Sequence, residues 1–402
     1  MRRFAILMPA ALLAACMTAP SHRDAAPKVV MAFDADSDGP AIAEGVADPA
    51  TGRRVTADDP VRIASISKLV VAIGVMRLIE QGRLDLDKDV SATLGWPLRN
   101  PAFPAEAVTL RHLLSHTSSL RDHDDQYAIP LGGSLRTVLA DPDGWDRTRG
   151  PNSGYFTYAN LNFPVVASIM ERATGERFDR LMNRLVLDPM ALDACFNWPG
   201  CSDLAVSRAV VLVQGGKIVR DDLRGRRPDC PVLAAPDGNC DLGRWRAGEN
   251  GALFAPQGGL RISARGLARI GRMLLGGGMI DGRRILAPAS VQTLIAAHWS
   301  HDGRNGVTDD GFYCRYGLGT HSLATAAPGC ADDPLGDSRG WVGHAGEAYG
   351  LRSGLWIDPV RRVGIVYYAT GLDPAPPRGR SAFTAAEERL FARAVSLGQQ
   401  RP

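Results

Sequence analysis

Residues Ser65 to Gln81 read as one helix with apolar side chains at Ile66, Leu69, Val70, Ile73, Val75, Met76 and Ile79, and Gly82 ends it. Those positions run almost all round the helix, so it has no face to give to water. Other elements must enclose it on every side. The 402 residues, 45% hydrophobic and 22% charged, are enough to build that enclosure. Short β-type runs at Val29 to Phe33 and Ala41 to Val46, separated by Asp34 to Pro40, predict a hairpin near the start. The last quarter alternates strands and turns, with Leu351 to Ile357 and Val363 to Ala369 ahead of an amphipathic helix at Ala382 to Leu397. Between these ends the helical period recurs at Thr109 to Leu114, Leu161 to Leu187 and Ala264 to Leu275. The pattern predicts an α+β architecture, an antiparallel sheet built from both termini and flanked by helices, with a mostly helical lobe. Residues 195–257 predict an irregular insertion holding one hairpin, Ala209 to Val213 and Lys217 to Arg220, around Gly215-Gly216.

The enclosed helix opens on Ser65-Ile66-Ser67-Lys68. A spacing of three stacks Ser65 and Lys68 on one face, so hydroxyl and amine can touch. Serine becomes a nucleophile when a neighbour takes its proton, and lysine can do so when burial or nearby cations lower its pKa. Of 46 basic residues only Lys28, Lys68, Lys88 and Lys217 are lysines. A chain that uses arginine nearly everywhere keeps a lysine inside this helix, where arginine could not act as a base. The structural alternative is a lysine snorkelling from an ordinary helix.

Val61-Arg62-Ile63-Ala64-Ser65-Ile66-Ser67-Lys68 and then Leu78-Ile79-Glu80-Gln81-Gly82-Arg83-Leu84-Asp85-Leu86-Asp87 resemble the nucleophile region of the serine β-lactamase and penicillin-recognising hydrolases: class C β-lactamases, DD-peptidases, D-aminopeptidases and β-lactamase-like esterases. The stretch Thr109 to Ser118 is similar to that family's helix-to-loop signature, and Thr174-Gly175 with Asp188-Pro189-Met190 to its middle segment. The resemblance covers about residues 28–395, interrupted by 195–257, and implies a β-lactamase-like fold.

Tyr158-Ala159-Asn160 matches the family's Tyr-x-Asn, which implies a tyrosine that relays a proton to the leaving group and an asparagine that holds a substrate carbonyl. A structural tyrosine and an N-cap asparagine are the plain alternative. Two sites fit the third motif, His301-Asp302-Gly303 and His344-Ala345-Gly346. The first lies in a polar loop, the second just before the strand at Leu351, so the second is preferred. By resemblance His344 and Gly346 line the substrate site, and the backbone amides of Ser65 and Glu347 form an oxyanion hole, such donors being worth roughly 3 kcal/mol each. The chain departs from typical β-lactamases at His344, where they carry a lysine that attracts the antibiotic's carboxylate, and at Ser119, where the family has glycine. The first departure puts penicillinase activity in doubt, because histidine is mostly neutral at pH 7.

Rival chemistries are weaker. His112 and His116 have the spacing of helical metal ligands, but leucines and a serine stand between them and no glutamate does. No metal or cofactor is expected. A formal charge of +3, two of it from Arg2 and Arg3, is too small for a nucleic-acid footprint. Those arginines, the apolar run Phe4 to Ala15 and Leu13-Ala14-Ala15-Cys16 resemble a bacterial lipobox: a signal peptide over 1–15, lipidation at Cys16, a tether over 16–27 and an exported protein anchored in the outer membrane. Export permits disulfides, and six further cysteines admit fifteen pairings. The pattern nearest in sequence joins Cys195 with Cys201, Cys230 with Cys240, and Cys314 with Cys330. The expected activity is a serine hydrolase acting through an acyl-enzyme on an ester or a D-amino-acid-containing amide, a small molecule or peptide. A true β-lactamase and a non-catalytic cell-wall-binding lipoprotein remain alternatives, and oligomeric state is not readable.

Overall fold

The computed structural model describes residues 26–400, so the segment 1–15, Cys16 and the tether up to residue 25 lie outside the described residues. Eight antiparallel strands form the main sheet in the order Trp299–Ser300, Arg315–Tyr316, His321–Ser322, Val342–Ala348, Leu351–Asp358, Val363–Ala369, Lys28–Asp34 and Ala41–Glu44. The first strand of the chain closes on the last, with Val29 opposite Tyr368 and Phe33 opposite Gly364. Strand side chains alternate between faces. Val29, Met31 and Phe33 enter the large central core with Leu355, Val366 and Tyr368. Val30, Trp356, Ile365 and Tyr367 turn the other way, onto Phe391 and Ala394 of the terminal helix Ala385–Gln399.

The helix Ala264–Leu275 covers the first face so closely that a Cβ on Gly271 would lie 2.2 Å from the Phe33 ring. Behind it the helix Ile66–Glu80 is buried continuously from Ile66 to Met76, and again at Leu78. Leu161 to Leu187 is not one helix. It divides into Asn162–Thr174, Phe178–Met182 and a wider turn at Asn183–Leu187, because Gly175 takes φ 72° and ends the first piece. The terminal helix begins three residues later than its periodicity predicts. Thr384 and Glu387 form a capping box there, each side chain satisfying the other's backbone N–H.

The segment 195–257 starts inside the domain's own structure. Cys195–Phe196 pairs with Leu260–Ile262, which also pairs with Val61–Arg62, so a three-stranded ribbon runs up to Ser65. Two-residue strands are too short to reveal a period in sequence. The hairpin within the segment consists of Leu212–Gln214 and Lys217–Arg220, and Ala209 to Val211 stay outside it. Disulfides join Cys195 to Cys201, Cys230 to Cys240 and Cys314 to Cys330, with S–S distances of 1.99, 2.00 and 1.99 Å. No helix among the described residues is long and apolar enough to cross a membrane.

Candidate active site

Ala64 turns the chain into the buried helix at φ 50°, a left-handed conformation that costs a non-glycine residue about 1–3 kcal/mol. The surroundings hold it there. Ser67 Oγ donates to Ala64 O at 2.7 Å and accepts from Leu260 N at 3.1 Å, while Ile63 N donates to Leu260 O. On the other side, Ser353 Oγ donates to Ile63 O at 3.0 Å. A Cβ on Gly346 would lie 2.2 Å from that same oxygen, so only glycine lets the Val342–Ala348 strand approach the serine turn this closely.

Ser65 is thereby presented at the helix start with Lys68 one turn along. Lys68 is fully buried, and its Nζ lies 3.0 Å from Ser65 Oγ, 2.8 Å from Asn160 Oδ1 and 3.0 Å from Gln257 O. Burial drives its pKa down to about 7, against the smaller opposing pull of Asp122. A neutral amine has two hydrogens. Asn160 Oδ1 and Gln257 O accept both, which leaves the lone pair facing the Ser65 hydroxyl.

Asn160 is itself held by Asp122. That carboxylate accepts from Asn160 N at 2.8 Å, Asn160 Nδ2 at 2.9 Å and Leu161 N at 3.0 Å, which fixes the amide with its oxygen toward Lys68. Asn160 therefore sits between Asp122 and Lys68 and does not cap a helix. Asp122 and Gln257 were not legible in the sequence: the first stands in the charged loop Arg121-Asp122-His123-Asp124-Asp125, and the second contributes a backbone carbonyl.

The Tyr158 ring stacks on His116 at 4.4 Å and on Tyr313 at 4.6 Å between centroids. Its hydroxyl lies beside Ser65 and Tyr313, yet it is buried without a hydrogen-bond partner among the described residues. Burial holds the phenol well above its ordinary pKa, so it stays protonated. His116 is not paired with His112 on one helix face. The helix ends at Leu114 and His116 takes φ 57°, with its Nδ1 accepting from Ala159 N at 3.1 Å and from Asn162 Nδ2 at 3.0 Å.

His344 lies in the expected strand, but its imidazole is only 1% exposed and does not line the cleft. Nδ1–H donates to Ala345 O at 2.5 Å, and Nε2 accepts from the Tyr316 hydroxyl at 2.7 Å. Burial, reinforced by Lys68, holds it well below the usual histidine range, so it is neutral. Its strand faces the cleft through Ala345, Gly346 and Glu347 instead. His301, in the loop that follows Trp299–Ser300, is not among the residues that line the cleft. Ser119, where a glycine was expected, adopts φ 66°, and its Oγ accepts from Asn100 Nδ2 at 3.0 Å, which helps hold a conformation glycine would take freely.

Ser65, Tyr158, Asn160, Gly346 and Glu347 thus share one open cleft of about 430 Å³, with Asp309, Tyr313 and Arg352 also on its walls. Glu347 forms an ion pair with Arg352.

The chain is similar to 6-aminohexanoate-dimer hydrolase of Paenarthrobacter ureafaciens, 32% identical over 331 residues that make up 79% of this chain and 68% of that one. It is also similar to esterase EstB of Burkholderia gladioli, 31% identical over 171 residues, but spans only 42% of that esterase's length. The solved D-amino acid amidase from Ochrobactrum anthropi SV3 shares the fold, with a TM-score of 0.66 at 16% identity over 94% of each chain. The class C β-lactamase from Rhodobacter sphaeroides does likewise, with a TM-score of 0.65 at 16% identity over 93% of this chain and 95% of its own. Residues 28–389 match the family model described as Beta-lactamase, and with the serine turn, the buried lysine and the Tyr-x-Asn loop gathered in one cleft, the chain belongs to the β-lactamase family.

Proposed function

We propose that this chain is a serine hydrolase that forms an acyl-enzyme on Ser65 and acts on an ester or a D-amino-acid-containing amide. The observation that carries this reading is the environment of Lys68, a buried amine with a pKa near 7 whose Nζ lies 3.0 Å from Ser65 Oγ. Ser65 Oγ attacks the substrate carbonyl carbon as Lys68 takes its proton. The N–H groups of Ser65 and Glu347 receive the oxyanion. Tyr158, whose hydroxyl lies beside Ser65, gives its proton to the leaving group and recovers one through Lys68. Water then releases the acyl group by the same route.

Ester and D-amino amide substrates are favoured by the esterase and D-amino acid amidase among the similar proteins. A β-lactam is less favoured, because a neutral His344 stands where typical β-lactamases carry the lysine that attracts its carboxylate. The test is intact-mass analysis of the full-length chain after treatment with a fluorophosphonate probe, beside Ser65→Ala and Lys68→Ala. One adduct mapped to Ser65 in the wild type alone supports the reading. An unlabelled but folded wild type returns the scaffold lipoprotein to the front.

We also propose export and lipidation at Cys16, on the strength of Leu13-Ala14-Ala15-Cys16. Palmitate labelling of the wild type, lost in Cys16→Ser, is the expected result.

A further inference from the structure

Arg62 stands three residues before Ser65, in the short strand paired with Leu260–Ile262, and it is only 9% exposed. Its Nε is buried with no hydrogen-bond partner, and no ion pair reaches its guanidinium among the described residues. What surrounds it is an aromatic ring and more positive charge. The guanidinium lies 5.1 Å from the centre of the Tyr349 ring, and Arg220 lies 4.8 Å from the same ring while donating to the Tyr349 hydroxyl at 2.9 Å. Arg261 is close enough to repel it. Arg261 is itself matched, since Asp221 receives it at 2.9 Å and also accepts from Trp198 Nε1 at 3.0 Å. The field of Asp221 reaches Arg62 as well, but less strongly than the repulsion from Arg261. One carboxylate therefore answers three guanidinium groups.

Burying a cation without a partner is costly, and the arrangement persists where something else completes it. Burial first, and Arg261 second, push the Arg62 pKa down to about 9. Burial resists ionisation of the Tyr349 phenol, but the fields of Arg62 and Arg220 overcome it and hold the group below its ordinary value. Both shifts report uncompensated positive charge at one spot. The spot is near the chemistry: three residues of chain span at most about 10 Å, and Tyr349 follows Glu347 by two. Guanidinium forks match carboxylates in shape and charge.

We propose that Arg62, Arg220 and Tyr349, close in the chain to Ser65 and Glu347 but outside the residues that line the cleft, form a carboxylate subsite, which selects substrates that carry a carboxylate besides the bond to be cleaved. This rests on the acyl-enzyme reading. It differs from the lysine-based attraction expected of β-lactamases, because the cations come from the strand before the nucleophile and from the 195–257 segment. Arg220 is exposed on its strand, so Arg220→Gln leaves the core intact.

The test compares full-length wild type with Arg220→Gln on two matched pairs: p-nitrophenyl hemiglutarate with p-nitrophenyl pentanoate, and 3-carboxyphenyl acetate with phenyl acetate. In at least one pair the anionic ester is expected to have about tenfold higher kcat/KM, a preference lost in the variant while the neutral ester is unchanged. Glutarate is expected to inhibit the wild type competitively. Equal rates within both pairs, or a preference that survives Arg220→Gln, overturns the proposal. Thermal shifts with glutarate and with inorganic phosphate separate the sources: a shift with phosphate and none with glutarate means a free-oxyanion site and overturns the substrate role. If neither enzyme cleaves a neutral ester, the hydrolase reading fails by itself. A glutarate shift in the wild type that is absent in Arg220→Gln then still supports the subsite, and its absence overturns it.

Discussion

Lys68 and Arg62 lie six residues apart on either side of the serine turn. Both are buried, and burial lowers the pKa of both. They differ in company. Lys68 has three oxygen neighbours within 3.0 Å, whereas Arg62 has a ring, a repelling Arg261 and an unpartnered Nε. Burial alone thus makes a strained cation; a set of directed acceptors makes one that can be neutral or charged and so move a proton. The lysine is complete as it stands, while the arginine lacks an ion pair of its own.

The sharpest break in this comparison is chemical. Lys68→Ala, like Ser65→Ala, is expected to lower kcat/KM by about 10⁴-fold or more, measured on an activated ester. A residual rate near that of the wild type would remove Lys68 as the base. Asp122→Asn should cost about 10–100-fold, since Asn160 loses its fixed orientation and small displacements at a reacting centre are expensive. Loosened packing would not move a pH profile, but this change should. The charge of Asp122 raises the Lys68 pKa, so its removal shifts the acid limb of kcat/KM to lower pH. In the wild type that limb should rise through pH about 7 as Lys68 loses its proton.

Stability sharpens the contrast further. In the unfolded chain Lys68 holds its proton up to its ordinary pKa of 10.5, and in the folded protein only to about 7. The unfolded state therefore binds more protons between those values, and stability should rise with pH across that window. In Lys68→Met that rise should be smaller, as followed by urea midpoints from pH 6 to 10. The smallest expected effect is on Arg62→Gln, neutral or stabilising by about 1 kcal/mol, because it relieves a buried and unmatched charge. A loss above about 2 kcal/mol in the same assay would mean that the guanidinium already has its partner.

The elements legible in sequence were those whose signal is local and repeated. The all-round apolar helix, the hairpin from residue 28, the helix Ala264–Leu275 and the strands Leu351–Asp358 and Val363–Ala369 emerge with ends shifted by at most a few residues. The two-residue strands Val61–Arg62 and Cys195–Phe196 carry no period to read, although they are what bring the insertion against the serine turn. The break at Gly175 and the capping box at Thr384 were visible as residue types but outweighed by the apolar pattern around them. Ser119 departs from glycine in a way the sequence displays, whereas its φ of 66° depends on the fold around it.

By itself the sequence determined that a serine and a lysine share one face at the start of an enclosed helix, because that follows from helix geometry and apolar spacing alone. The tertiary structure decided what the lysine can do. Its acceptors come from positions 92 and 189 residues away, one of them a backbone carbonyl that no residue name records. It also decided that His344 is neutral and buried, and that Arg62 is buried without an ion-pair partner. Charge state depends on which dipoles and ions surround a group and on how much water is removed, and both are set by chain crossings that local pattern does not contain.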